Sequence, residues 1–315
     1  MRIRYLAIAT LAAAAAACVA QVSPAVASKA PSSTVCRYAD SPTFNSLARL
    51  APTSTARSKG VRDKDTRGIV SDTEIPAKQA PTISASFTTT IPVYFHVITD
   101  GSTGDVSPAT VDDQMTVLNL AYGGFYGGLD TGFQFELADL DYTDNADWYA
   151  QATFADELEM KAALKQGQAT ALNVYSTSGG DFLGWAYYPK IVVYNKYQVL
   201  DGIVIDGRSM PGGPYGSAYS LGQTLTHEAG HYLGLAHTFE QGCIGHGDYV
   251  DDTPAEATPT SGCPAGKDTC TAPGFDPIHN YMDYSYDSCY DRFTAGQAAR
   301  MQTQWLHWRV KHGYH

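Results

Sequence analysis

The chain has 315 residues, 44% of them hydrophobic, so it is long enough to bury a substantial core. Only 17% are charged and the formal net charge is −11, a balance that argues against a nucleic-acid-binding protein. Residues 1–90 carry 11 Lys/Arg and 5 Asp/Glu, whereas residues 91–315 carry 10 and 27. This contrast indicates that the two parts of the chain have different roles.

Residues 1–27 have the pattern of a secretory signal peptide. Two basic residues, Arg2 and Arg4, precede an apolar, Ala-rich run, and Ala25-Val26-Ala27 forms a small-residue cleavage pattern. A membrane anchor is the alternative, but the run is short for a bilayer span, and no later stretch reaches the ~18 apolar residues that a spanning helix needs. A lipoprotein signal at Cys18 is a second alternative, which the missing Leu or Val before it weakens. We expect a secreted, extracellular protein whose mature form has no membrane partner.

Residues 28–86 are predicted to form a removable prosegment. They are rich in Ser, Thr, Ala, Pro and basic residues and show little periodicity, which is typical of a loosely ordered segment. The basic cluster at Arg57–Arg67 invites proteolytic processing, and its charge complements the acidic remainder of the chain. A simple linker or tail is the alternative.

The ordered domain, residues 87–315, shows strand and helix patterns in turn. Strands are recognised by β-rich or alternating runs, and helices by apolar residues at helical spacing. The predicted strands are 91–98, 133–137, 172–175 and 202–205. The predicted helices are one that opens within Ser107–Ala109 and has apolar residues at helical spacing as far as Tyr122, and a second at 152–164. This alternation predicts an α+β fold in which helices pack on a mixed sheet.

Residues 227–237 read HEAGHYLGLAH and fit the pattern H-E-x-x-H-x-x-G-x-x-H. Apolar residues at helical spacing predict a helix here: Leu221, Leu225, Ala229 and Leu233. His227 and His231 then project from one helical face and can bind one zinc ion. Glu228 is positioned to take a proton from the metal-bound water and pass it to the leaving amine.

The end of this motif supplies a third ligand. Gly234 permits a positive φ, so the helix can stop and the chain can turn back to bring His237 to the metal. Three protein ligands leave one position open for water, which is the arrangement of a catalytic zinc site. A second motif, Asn280–Tyr284, contains Met282, 45 residues after His237.

Residues 91–305 resemble the pappalysin-type metzincin zinc peptidases, and among them the small secreted microbial members. The segments that carry the resemblance are Ile91–Val93, Gly179–Ala186, the zinc motif, Asp251–Pro254, Asn280–Tyr284 and Phe293–Gln297. The resemblance implies a twisted mixed sheet with helices in an upper subdomain, an irregular disulfide-bonded lower subdomain, and a substrate cleft between them. It also implies that Met282 forms a hydrophobic floor beneath the zinc and that Tyr284 steadies the oxyanion of the intermediate.

Four cysteines remain after removal of Cys18 and Cys36 with the signal peptide and prosegment. They lie in a segment rich in Gly, Pro and Asp, which gains from covalent cross-links in an exported chain. Three pairings are open, and the resemblance favours Cys243–Cys270 with Cys263–Cys289. Cys36 is a candidate zymogen switch, because its thiolate could occupy the open zinc position; an incidental cysteine is the equal alternative.

An oxygen-rich loop follows the zinc motif and is a candidate calcium site. Its proposed ligands are Asp248, Asp251, Asp252 and Thr253. Hard oxygen ligands on an irregular loop suit calcium, and the resembling peptidases bind calcium in this region. A solvated acidic loop is the alternative.

These patterns predict a secreted zinc endopeptidase that is made as a zymogen and acts, as a monomer, on proteins or peptides. The acidic domain favours basic substrates, and Asp287 is a candidate for an acidic specificity pocket. His279 lies outside the zinc motif and is predicted to be a structural, hydrogen-bonding residue. The alternatives are a catalytically inactive secreted zinc-binding protein and a peptidase of another metzincin family.

Overall fold

The computed structural model describes residues 86–180, 182–193 and 197–314. The predicted signal peptide, all but the last residue of the predicted prosegment, and both Cys18 and Cys36 lie outside the described residues. The predictions made for them therefore remain predictions.

Within the described ranges, five strands form one sheet. They are β1 (Thr89–Thr99), β2 (Phe133–Asp144), β3 (Leu172–Thr177), β4 (Gly184–Trp185) and β5 (Ile203–Asp206). Their order is β2-β1-β3-β5-β4, and every pair is parallel except β4 with β5. The central strands β3 and β5 are buried throughout, because elements cover both faces of the sheet. The predicted α+β fold with a mixed sheet is confirmed.

Helices cover the sheet and connect its strands. They are α1 (Pro108–Tyr122), α2 (Ala146–Ala150), α3 (Phe154–Leu164), α4 (Pro189–Val193), α5 (Gly216–Tyr219), α6 (Gln223–Tyr232) and α7 (Ala295–Gln304), which continues into a π-helical segment, Trp305–Lys311. The predicted start of helix 152–164 is two residues too early, because α3 begins at Phe154. Thr153 caps it, since its side chain accepts a hydrogen bond from Asp156 N while the Asp156 carboxylate accepts one from Thr153 N.

The predicted strand 133–137 is too short. β2 continues to Asp144 because its pairing with β1 runs the full length of both strands, from Thr89–Phe133 to Thr99–Asp144. The second half of β2 is polar and partly exposed, so its burial pattern does not alternate as cleanly as the first half. Backbone pairing with a neighbouring strand therefore extended an element whose sequence signal had ended.

The chain after α6 forms an irregular lower subdomain, residues 233–294, below an upper subdomain made of the sheet and α1–α6. Two disulfides cross-link it, Cys243–Cys270 and Cys263–Cys289, which is the pairing that the family resemblance favours. α7 then returns to the main core, where Met301 and Trp305 pack against residues of the sheet and α6. None of the helices in the described ranges combines the length and the apolar composition that a membrane-spanning segment needs.

Candidate metal centre

Helix α6 carries two of the three predicted ligands and the predicted base. All ten of its residues are buried. The expectation that Leu221 belongs to this helix is wrong, because Leu221 precedes the first turn and is 40% exposed. The backbone amides of Leu221 and Gln223 donate to Asp287 Oδ2 at 2.9 and 3.3 Å. A carboxylate more than 60 residues away therefore fixes the entry to the helix, and no local pattern reveals it.

The turn after α6 brings back the third predicted ligand. Gly234 has φ of +98°, in the left-handed region that glycine adopts without strain. Gly234 N donates to the His231 carbonyl and Leu235 N to the Gly230 carbonyl, both at 2.9 Å. These bonds close the helix at Tyr232 and direct His237 toward His231, as the motif predicts.

The three imidazoles converge on one point. His231 Nε2 lies 3.1 Å from His227 Nε2 and 3.0 Å from His237 Nε2. All three rings are buried. Three nitrogens on a tetrahedral zinc ion with bonds of ~2.0–2.1 Å would lie roughly 3.3 Å apart, so the observed spacing is that of a metal site.

Hydrogen bonds fix the ring tautomers. His227 Nδ1 lies 2.6 Å from the Tyr281 carbonyl and His231 Nδ1 lies 2.8 Å from the Leu235 carbonyl. Because a carbonyl can only accept, both Nδ1 atoms carry the proton. Burial lowers the pKa of His227 to about 4 and holds the pKa of His231 and His237 well below the ordinary value, so the rings are neutral at pH 7.

The tautomers test whether a cation fits. A neutral ring protonated at Nδ1 presents a lone pair at Nε2, and two lone pairs 3.1 Å apart cannot hydrogen-bond to each other. A shared cation satisfies both, and neutral imidazole nitrogens suit zinc. The His triad therefore fits a zinc ion, with the backbone carbonyls of Tyr281 and Leu235 orienting two of its ligands.

Glu228 lies beside the triad and is completely buried. It packs against Gly184 of the edge strand β4, where an added Cβ would lie 3.0 Å from Glu228 Cγ and 3.1 Å from Thr224 Cγ2. A larger residue at this point of the strand would therefore push the Glu228 side chain, or its neighbours, aside by a few tenths of an ångström. Glu228 directly follows His227 on α6 and lies against the sheet edge.

Met282, which the resemblance assigns to the floor of the site, packs against α6 between the two histidines of that helix. It is completely buried, and its sulfur lies so close to Gly230 that a Cβ there would overlap it. The Met282 carbonyl accepts a hydrogen bond from Thr238 N at 3.2 Å, which joins this segment to the chain that carries His237. The two motifs of the sequence thus form one site.

Tyr284 and Asp287 line a pocket next to His227. The pocket opens to solvent, and its walls are Leu183, Tyr219, Gln223, Thr224, His227, Tyr284, Ser285, Asp287 and Tyr290. The Tyr284 ring packs edge-on against His237, with centroids 4.9 Å apart. Burial raises the pKa of Asp287 to about 7, although three backbone amides oppose this shift.

The four residues of the candidate calcium loop do not converge. Asp248 is buried and accepts from Thr253 Oγ1 at 2.7 Å, whereas Asp251 and Asp252 are exposed. Asp252 instead caps α7, accepting from Thr294 Oγ1 at 2.7 Å and from Gly296 N at 2.8 Å. Only Asp248, Thr253 and the Val250 carbonyl are grouped, since Thr253 Oγ1 also lies 2.8 Å from that carbonyl.

His279 lies away from the triad. Its Nδ1 is 2.6 Å from the Cys289 carbonyl, so it serves as a hydrogen-bonding residue beside the Cys263–Cys289 disulfide. A buried group that the sequence patterns did not predict is Glu157, which accepts from Trp185 Nε1 at 2.9 Å and from Tyr187 Oη at 3.0 Å. Glu157 thereby holds strand β4 beside Glu228, and no motif marks it.

The comparisons with known proteins agree with this site. Residues 172–305 match the Peptidase_M43 family model, described as Pregnancy-associated plasma protein-A. An extracellular metalloprotease of Sordaria macrospora is 44% identical over 247 residues, which cover 76% of this chain and 83% of the relative.

Two solved structures from Tannerella forsythia are similar in fold. A promirolysin mutant has a TM-score of 0.64 and 26% identity over 73% of this chain and 85% of its own. Mature mirolysin in complex with a cleaved peptide has a TM-score of 0.61 and 26% identity over 73% of this chain and 97% of its own. The identity and coverage of the fungal relative, the family match and the His triad confirm the resemblance seen in the sequence. The chain belongs to the pappalysin-type family of metalloendopeptidases, Peptidase_M43.

Proposed function

We propose that this protein is a secreted, zinc-dependent endopeptidase made as a zymogen. The observation that supports it best is the convergence of three neutral imidazole nitrogens next to a buried glutamate and an open pocket. A structural zinc site is closed by four protein ligands, whereas three ligands beside a pocket leave room for water and a substrate carbonyl. Similarity to mirolysin in complex with a cleaved peptide supports action within a peptide chain.

Each residue of the site has one task in the proposed reaction. His227, His231 and His237 would hold the zinc ion, which when bound supplies a Lewis acid for the scissile carbonyl and its attacking water. Glu228 takes a proton from the water as it attacks the carbonyl carbon, and delivers it to the amine as the C–N bond breaks. Tyr284 Oη donates a hydrogen bond to the oxyanion of the tetrahedral intermediate.

We further propose that the pocket accepts a basic side chain of the substrate. Asp287 lines it, and its Oδ2 accepts from the amides that open α6, which hold the carboxylate in one orientation. A lysine or arginine side chain entering the pocket would pair with this buried carboxylate and would favour its charged form. The excess of acidic residues in residues 91–315 would also attract basic substrates.

Secretion and latency remain predictions from residues 1–27 and 28–86. The extracellular relative from Sordaria macrospora and the existence of a promirolysin form support them, and Cys36 stays a candidate for the residue that blocks the zinc position.

We also propose a calcium site, with fewer ligands than the four that the sequence predicted. Asp248, Thr253 and the Val250 carbonyl would bind the ion, since burial raises the pKa of Asp248 to about 7 and a divalent cation would offset that cost.

The competing proposal is a catalytically inactive zinc-binding protein; the family assignment excludes a peptidase of another metzincin family. Processed protein would be incubated with denatured casein before and after chelation, and zinc would then be restored. We expect cleavage that is lost on chelation and returns with zinc, with lysine or arginine at one fixed position beside the cleaved bond. Fully processed, zinc-loaded protein that cleaves no denatured substrate would favour the inactive alternative.

A further inference from the structure

A partly buried cation lies in the lower subdomain, apart from the metal centre. Lys267 Nζ is within 3.1 Å of four oxygens, which belong to Glu256 (2.6 Å), Thr258 (carbonyl, 2.6 Å), Thr260 (hydroxyl, 3.0 Å) and Asp276 (3.1 Å). The Glu256 and Asp276 side chains are 0% exposed and the Lys267 side chain 17%. The oxygens therefore replace most of the hydration of the ammonium group. The ammonium group of Lys267 therefore fixes the positions of these four oxygens.

Glu256 extends this cluster to the third predicted ligand. Its Oε2 accepts from Thr238 Oγ1 at 2.8 Å, and Thr238 directly follows His237. Thr238 N in turn donates to the carbonyl of Met282. The carboxylate of Glu256 is thus bonded to the residue that joins the His237 segment to the methionine segment.

A second branch reaches Tyr284. Glu256 Oε1 accepts from Thr260 Oγ1 at 2.8 Å, and Thr260 N donates to Asp283 Oδ1 at 2.9 Å. The same Asp283 oxygen accepts from Tyr284 N at 2.7 Å. Both branches start from one carboxylate: one ends on Thr238, which directly follows His237, and the other ends on Tyr284, whose ring packs 4.9 Å from that of His237.

The metal centre needs these side-chain hydrogen bonds because its ligands come from two differently ordered parts of the chain. His227 and His231 are fixed by the backbone hydrogen bonds of α6, whereas residues 233–286, all of them described, contain no helix or strand. His237 and Tyr284 both lie in that irregular stretch. Side-chain hydrogen bonds must therefore fix the positions of His237 and Tyr284, as the helix fixes those of His227 and His231.

We propose that Glu256, with Lys267 as its counter-ion, is a positioning residue of the metal centre: its two carboxylate oxygens hold His237 and Tyr284 at a fixed separation. The proposal rests on the proposed function only for the roles of His237 and Tyr284. Zinc affinity tests it without any catalysis, so its failure can be told apart from a failure of the peptidase assignment.

The sharpest test is Thr238→Val, which keeps the shape of the side chain, removes the hydroxyl and leaves the Glu256–Lys267 pair intact. We expect zinc affinity, measured by competition with a chelator, to weaken about 10- to 100-fold, as for lost partners of metal ligands elsewhere. With saturating zinc, kcat should fall while KM stays within about twofold, because substrate binding is not touched. Thr238→Ser, which restores the hydroxyl, should recover most of the affinity.

Chemical rescue tests the cation. Lys267→Ala should weaken zinc binding in the same direction, and added propylammonium should restore it, whereas propanol of the same size should not. Lys311→Met, which removes an exposed ammonium group, is the matched control and should bind zinc as the wild type does. Should Lys267→Ala fail to fold, Thr238→Val alone decides. Wild-type zinc affinity and kcat in Thr238→Val would overturn the proposal, as would rescue by propanol and propylammonium alike.

Discussion

Arg309→Met removes a fully buried guanidinium group that ties the C-terminal helical segment to the end of α6. Nη1 and Nη2 of Arg309 pair with the two carboxylate oxygens of Asp201 at 2.9 and 3.1 Å, and Nε donates to the Tyr232 carbonyl at 3.2 Å. The guanidinium carbon also lies 3.4 Å from the centre of the Tyr232 ring. One side chain therefore satisfies a buried carboxylate and a terminal carbonyl of the helix that holds the metal site.

The expected loss follows from what remains after the substitution. The Asp201 side chain is only 1% exposed; burial alone would raise its pKa, but the charge and hydrogen bonds of Arg309 hold that pKa below the ordinary value. Removing one partner of a buried ion pair costs about 3–5 kcal/mol, because the other charge is left uncompensated. For a domain of this size that loss lowers Tm by roughly 6–20 °C.

Thermal and urea unfolding of Arg309→Met would measure this loss. Arg292→Met is the matched control, since the Arg292–Asp291 pair is 50% and 27% exposed, and such a pair contributes about 0–1 kcal/mol. Arg309→Met/Asp201→Leu, which removes both charges, should recover much of the lost stability. A loss from Arg309→Met no larger than that of the control would refute the reasoning.

Three further predictions concern the pocket and the lower subdomain. Burial raises the pKa of Asp287 to about 7, so between pH 5 and 7 the folded state keeps a proton that the unfolded state releases. This group alone should therefore lower the free energy of unfolding by about 2–3 kcal/mol as the pH rises from 5 to 8. Urea titrations at both pH values should show that Asp287→Asn removes this difference. Tyr284→Phe should lower kcat about 100-fold or more with little change in KM, whereas Tyr286→Phe, two residues away, should leave kcat unchanged. Equal effects of the two substitutions on kcat in steady-state assays would argue against the oxyanion role of Tyr284. Replacing the Cys243–Cys270 pair by serines should cost about 3–4 kcal/mol in urea unfolding, because the bond closes a loop of 27 residues; unchanged unfolding would show that the loop is restrained without it.

The sequence predicted those parts of the site that depend on local spacing. His227 and His231 share a face because they are four residues apart, and Gly234 ends the helix because it alone adopts the required φ without strain. These relations lie within one helix and its turn. Such local relations can be predicted from a single stretch of sequence.

Other features depended on partners far away in sequence. Leu221 looked like part of the helix face, but a hydrogen bond to Asp287, 66 residues on, places it before the first turn. Asp252 looked like a calcium ligand, but it caps a helix that begins 43 residues later. Glu256 carries no motif, because its importance arises only when the fold brings Thr238 and Lys267 to it. Such contacts are set by tertiary packing, which no periodicity records.

The most direct test of the central claim compares zinc-loaded wild type with Glu228→Ala in cleavage of one peptide, with zinc content measured for both. We expect the variant to bind zinc and to lose about 10²–10⁴-fold in kcat/KM, because the metal ligands remain while the proton acceptor is gone. Glu136→Ala, an exposed glutamate on β2, should cleave as the wild type does. A zinc-loaded Glu228→Ala protein that cleaves at the wild-type rate would contradict the account.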